Sequence, residues 1–206
     1  MMKVVILAVT FISLAHLSSP NSCSKCGNTE VPYPLSTTKN CGDSSYRVYC
    51  INDTLQFLSE EKIFYKILSI DANASRLVID PPDIGRKKCY SSDLSVGGLK
   101  ISESSPFNIS KRNTVLLFNC SKNLLLSPLN CSSNSICREY EQKIEEGRPC
   151  RNTLCCSYLK DASMTSHIIR VRVEGCTAYT SVVDLKTDDP PTSWNYGIEL
   201  DWLPPN

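Results

Sequence analysis

Histidine is nearly missing from this chain: of the two present, His16 falls in an N-terminal apolar stretch and His167 is the one imidazole beyond it. Chemistry that needs several imidazoles, such as a multi-histidine metal centre, is excluded for the body of the chain. His167 precedes an apolar–polar alternation and reads as a surface or capping residue. Neither a Gly-x-Ser-x-Gly nucleophile elbow nor a phosphate-cradling glycine-rich loop occurs. Charge of one sign is equally scarce, with 22 Lys and Arg against 21 Asp and Glu for a formal net of +1, which argues against nucleic-acid binding. Long hydrophobic runs are missing after the first twenty residues, so no later segment has the ~20 apolar residues of a membrane span. The end, Trp202-Leu203-Pro204-Pro205-Asn206, has no hydrophobic tail of the lipid-anchor kind. Glycoside hydrolysis needs only two placed carboxylates, but no pair stands out, and Asp188-Asp189 before Pro190-Pro191 reads as a loop. A non-enzymatic protein without cofactor or metal is the expectation.

Cysteine, by contrast, is abundant. All twelve (Cys23, Cys26, Cys41, Cys50, Cys89, Cys120, Cys131, Cys137, Cys150, Cys155, Cys156 and Cys176) lie beyond the apolar start, and their even number permits full pairing. Residues 1–22 read as a secretion signal: Lys3 begins it, Val4 to Leu17 form the apolar run, and Ser18, Ser19 and Ser22 surround a cleavage point. Secretion places the cysteines in an oxidising compartment, where Cys23-x-x-Cys26 is a disulfide donor and not half of a zinc site. The adjacent Cys155 and Cys156 are expected to take different partners. Five Asn-x-Ser/Thr triplets, at Asn52, Asn73, Asn108, Asn119 and Asn130, are candidate glycosylation sites; the last two carry a cysteine in the middle position, which makes them poorer acceptors. The expected product is a soluble, secreted glycoprotein.

Six cysteines fall in residues 23–120 and six in 131–176, and charge changes sign across the gap. Residues 23–122 hold 13 Lys and Arg against 10 Asp and Glu, whereas 123–206 hold 8 against 11. Two small domains, 23–122 and 123–206, are therefore expected. Short segments rich in β-branched or aromatic residues mark strands at Tyr65–Ile70, Arg76–Asp80, Val115–Phe118, Ile168–Val173 and Tyr196–Trp202. In the last, Tyr196, Ile198, Leu200 and Trp202 alternate with Gly197, Glu199 and Asp201, which predicts one buried and one wet face. Ser135–Glu146 is the one helical pattern, with Ile136, Tyr140 and Ile144 at four-residue spacing and Gly147 as its stop. The fold class is thus mainly β: two small disulfide-rich antiparallel domains with one short helix.

The ordered set Cys23-Ser-Lys-Cys26-Gly27, Val31-Pro32-Tyr33-Pro34, Cys41-Gly42, Cys50, Tyr65-Lys66-Ile67-Leu68-Ser69-Ile70, Cys89 and Leu117-Phe118-Asn119-Cys120 resembles the galacturonan-binding domain of plant wall-associated receptor kinases. The second half, with Cys155-Cys156-Ser157-Tyr158, Gly175-Cys176-Thr177-Ala178-Tyr179 and Trp194 through Trp202, resembles the cysteine-rich C-terminal domain that follows it in such receptors. The resemblance implies an apoplastic, cell-wall-associated module that binds pectin or oligogalacturonide. In longer family members a membrane span and a kinase follow; neither occurs in this sequence, which leaves a soluble relative, a decoy or co-receptor, or an incomplete gene product as open readings, with a membrane receptor kinase as a second candidate partner. A polyuronide carries one carboxylate per sugar, so spaced cations are needed, and Arg engages a carboxylate with two parallel hydrogen bonds. Arg86-Lys87-Lys88 and Lys111-Arg112 are the densest basic sites; Arg47, with Lys62, Lys66 and Arg76, extends the candidate track. Tyr33, held between two prolines, is the candidate sugar-stacking ring. Trp194 and Trp202 are assigned to the second domain's core or edge. The alternative reading is a protein-interaction module, a decoy or co-receptor, with no carbohydrate binding of its own.

Overall fold

The computed structural model describes residues 22–85, 88–121, 129–158, 165–169 and 175–205. The signal segment apart from Ser22, Arg86, Lys87 and most of the predicted Ile168–Val173 strand lie outside these residues. The predicted β class is what forms, as two antiparallel sheets. In the first, β1 (Tyr49–Ile51), β2 (Thr54–Leu58), β3 (Phe64–Asp71) and β4 (Arg76–Ile79) form a meander, followed by β11 (Ile198–Trp202) and β5 (Phe107–Ile109). The second sheet runs β10 (Asn195–Tyr196), β9 (Ala178–Val183), β6 (Asn113–Phe118), β8 (Cys156–Tyr158) and β7 (Leu129–Asn130). One α-helix, α1 (Ile136–Lys143), is present among the described residues.

The predicted strand at Tyr196–Trp202 is divided. Gly197 takes φ +151°, so Asn195–Tyr196 pairs with β9 in one sheet while Ile198–Trp202 passes between β4 and β5 in the other. Trp202 consequently belongs to the first sheet's core, edge-on to Phe107 at 6.2 Å, and not to the second half; Trp194 does pack in the second core. Glu199, predicted wet, is only 4% exposed because β11 is a central strand. The predicted helix is shorter at its C-terminal end: Ile144 is extended (φ −106°, ψ 132°), and a 3₁₀ turn follows at Glu145–Cys150 with Gly147 inside it. A Cβ at Gly147 would stand 2.8 Å from the Tyr140 ring, so close packing is the reason for this glycine.

β6 is buried along its whole length and serves two cores. Val115 and Leu117 pack with Leu77, Ile79, Ile198 and Leu200 of the first sheet; Leu116 and Phe118 pack with Cys137 and Tyr140 of α1. The order of layers is therefore first sheet, second sheet, helix. Six disulfides staple them: Cys23–Cys41, Cys26–Cys50, Cys89–Cys150, Cys120–Cys176, Cys131–Cys156 and Cys137–Cys155. Cys155 and Cys156 take different partners, as expected, and their side chains enter different cores, Cys156 the first and Cys155 the second. Cys89–Cys150, Cys120–Cys176 and strand β11 all cross position 122, so the two halves do not have independent disulfide sets.

Candidate functional site

The first three strands are short, and their parity separates two faces. Leu55, Phe57, Tyr65 and Ile67 point into the core; Tyr49, Gln56, Phe64 and Lys66 point away from it. Register then sets the outward residues in rows: Tyr49 lies opposite Gln56, which lies opposite Lys66, and Leu58 lies opposite Phe64. The rings of Tyr49 and Phe64 meet edge to face at 5.4 Å, and the Arg47 guanidinium carbon stands 5.4 Å from the centre of the Tyr49 ring. Phe64 is 43% exposed. Arg47 and Lys66 thus bracket an aromatic pair, two strands or roughly 10 Å apart. Neither cation forms an ion pair among the described residues.

The other half of the same face is electrically spent. Glu199 on β11 accepts hydrogen bonds from Ser110 Oγ (2.7 Å) and Arg112 (2.9 Å), with the Arg76 Nε at 3.9 Å. Arg112 is also paired with Asp184. Asn113 completes the junction, donating to the Glu199 carbonyl (2.8 Å) and accepting from its amide (2.8 Å). Two of the candidate cations, Arg76 and Arg112, therefore face carboxylates of the chain itself. Lys111 is exposed on the turn before β6, and Lys62 on the turn before β3. Lys88 is exposed beside a shallow depression that includes Tyr90, Asn119 and Thr177. The expected cations do not gather on one track: Arg47 and Lys66 share the outward face of β1–β3 with Tyr49 and Phe64, whereas Lys88 lies beside Tyr90, which is 41% exposed.

Tyr33 precedes a cis peptide bond to Pro34 and is 45% exposed. The sequence reading overlooked Tyr49 and Phe64. The signal was there in the 64–68 segment, where Phe64 and Leu68 put apolar side chains at the same parity as Lys66.

A cleft of 1060 Å³ lies elsewhere, between the Asp80–Gly85 loop, the C-terminal end of α1 and β10. Asp80, Asp83, Glu145 and Glu146 line it beside Tyr140 and Tyr196; Arg148, the lining cation, is paired with Glu145 at 2.7 Å. Burial pushes the Asp80 carboxyl above its ordinary value, a shift opposed by Lys66 and reinforced by Asp83. A polyanion is repelled by this lining.

These features define a class: a disulfide-framed, mainly β module with an open cationic–aromatic face. Residues 20–80, the segment that builds β1 to β4, match the family described as wall-associated receptor kinase galacturonan-binding. The chain is 38% identical over 193 residues to Wall-associated receptor kinase-like 20 of Arabidopsis thaliana, covering 90% of this chain and 29% of that protein. It is 36% identical over 192 residues to Wall-associated receptor kinase-like 15 of the same plant, covering 89% and 30%. The resemblance to wall-associated receptor kinases therefore holds over most of the chain, which spans about a third of the length of these relatives. No solved structure matches it. No helix among the described residues is long and apolar enough to cross a membrane.

Proposed function

We propose that this chain is a secreted, non-catalytic module that binds acidic cell-wall polysaccharide, pectin or its oligogalacturonide fragments, at the outward face of β1–β3. One coincidence carries the reading: the segment similar to the galacturonan-binding family, residues 20–80, is the segment whose outward face carries the half-buried Arg47 and Tyr49 beside the exposed Phe64 and Lys66. The rings offer an apolar platform to a sugar, while the two cations meet carboxylates along the polymer. Tyr33, Lys62, Lys88 and Lys111 are exposed and can extend contact with a long chain, as can Arg86 and Lys87; Arg112 is held back by its own carboxylates. Residues 1–22 deliver the protein to the apoplast as a secretion signal.

The test is binding of the oxidised protein to homogalacturonan fragments, with a neutral glucan as control and salt titrated. Selective binding that weakens with salt is expected. An exposed ion pair contributes about 0.2 to 1 kcal/mol, so Arg47→Ala and Lys66→Ala should each weaken binding by up to about fivefold. Uronide binding that ignores both substitutions would sink the assignment of this face.

A second reading, a protein-interaction module acting beside a membrane receptor kinase, is favoured by the acidic cleft, whose carboxylates suit a cationic partner better than pectin. Salt-resistant binding to a protein with none to pectin would favour it.

A further inference from the structure

Two of the glycosylation triplets occupy equivalent places in the fold. Asn52 and Asp53 are the two-residue turn joining β1 to β2, with φ values of 48° and 58°, and Ile51 lies opposite Thr54 across it. Asn73 sits in the turn joining β3 to β4, where Asp71 lies opposite Arg76. In an antiparallel meander the first and third turns lie at the same end, so both asparagines project from one end of the first sheet. Both are exposed, and neither side chain has a hydrogen-bond partner among the described residues. The other three differ. Asn108 lies in β5 directly opposite Asp201 of β11, Asn119 Nδ2 donates to Thr177 Oγ1 at 2.9 Å, and Asn130 Oδ1 accepts from Ser132 Oγ at 2.8 Å. Asn119 and Asn130 also precede cysteines that are locked into disulfides.

We propose that Asn52 and Asn73 carry N-linked glycans that together screen one end of the first sheet. The linkage forms between asparagine Nδ2 and the first sugar's anomeric carbon, with a lipid-linked oligosaccharide as donor and its diphosphate as leaving group. From Thr54 to Leu58 the strand rises about 13 Å, so the Phe64 end of the sheet stays clear of both attachment points. This deepens the pectin reading by assigning a direction. A polymer that follows the strands toward the first and third turns runs into sugar, whereas one that crosses the strands along the Tyr49–Gln56–Lys66 row passes freely. The inference requires secretion but not pectin binding.

The experiment maps occupancy on the full chain secreted from plant cells, by enzymatic release of N-glycans in heavy-oxygen water and mass spectrometry of the peptides. Heavy-oxygen Asp at both 52 and 73 is expected. Secreted chain without label at either position overturns the proposal and leaves the pectin reading standing; chain retained in the cytosol without label overturns it together with the secretion reading. A paired variant keeps folding from confusing the result. Thr54→Val removes the first acceptor motif while leaving Asn52 in its left-handed turn, and Asn73→Gln removes the second. The doubly substituted protein should lose the mass of two glycans and still compete for homogalacturonan at least as well as the parent. Unchanged mass in that variant places the sugars elsewhere and overturns the assignment.

Discussion

At the scale of single residues, charges that look alike in sequence do opposite work. Arg112 and Arg47 were both plausible contacts for a polyanion, yet Arg112 holds Glu199, which is 4% exposed, whereas Arg47 lies over the half-buried ring of Tyr49. Arg112→Ala should therefore cost stability, on the order of 3 kcal/mol, because it strips a buried carboxylate of its main partner. Denaturant unfolding measures that loss, and the folded fraction should keep its affinity for uronide. Asp93 is a second case. It is 1% exposed between the sheets, accepts hydrogen bonds from the hydroxyls of Tyr65 (2.8 Å) and Tyr179, and leaves its other oxygen unpartnered among the described residues. Burial pushes its carboxyl above the ordinary value, against the two tyrosine hydrogen bonds that lower it. Below pH 3.8 the acid is protonated in both folded and unfolded chains and its stability contribution is whole; as pH rises through the raised folded value that contribution is lost. Asp93→Asn should thus flatten the fall in melting temperature between mildly acidic and neutral pH, as read by thermal scans. An undiminished slope would assign the dependence to other acids raised by burial, namely Asp80, Asp201 and Glu141.

Among the elements, legibility followed periodicity. The predicted segments at 65–70, 76–80 and 115–118 became β3, β4 and β6 within two residues. β1, β5, β7 and β8 are two or three residues long, too short for alternation to register. β9 failed for a different reason: Ala178–Val183 is buried on both faces, so no wet residues mark its parity. The division at Gly197 was invisible because a strand that changes sheets keeps its alternation through the crossing. Its cause is steric. A Cβ at this position would stand 2.2 Å from Val78 Cγ1, on a backbone at φ +151°. Gly197→Ala should cost at least about 2 kcal/mol, visible as a lower denaturation midpoint. Phe107 on β5 gathers Tyr46, Phe57 and Trp202, each ring edge-on at 5.4 to 6.2 Å. Phe107→Ala should cost about 3 to 5 kcal/mol by the cavity it leaves.

For the whole molecule, the cross-links and strand order bind early and late residues. β11 sits between β4 and β5, so a fragment of residues 23–122 would keep β1–β6 but lack the strand that joins β4 to β5. It would also leave Cys89 and Cys120 without Cys150 and Cys176. That fragment is expected to fail to fold, with little dispersion in its amide NMR spectrum, while the whole chain unfolds in one cooperative step. Cys89–Cys150 closes 61 residues, and removing it by paired serine substitution should cost about 4 kcal/mol through the added freedom of the unfolded chain.

Composition and local pattern by themselves determined the class: the twelve cysteines, the apolar start, the β-branched segments and the spaced motifs define a disulfide-framed β module resembling wall-associated receptor kinases. These are properties of neighbouring residues, and a sequence states neighbours directly. Tertiary structure decided the six pairings, the sheet to which β11 belongs, and the meeting of Arg47, Tyr49, Phe64 and Lys66 on one face. It also decided that Arg76 and Arg112 are occupied by Glu199, 123 and 87 residues further along the chain. Partners so distant are chosen by strand register and close packing of the whole core, and no local window contains that information.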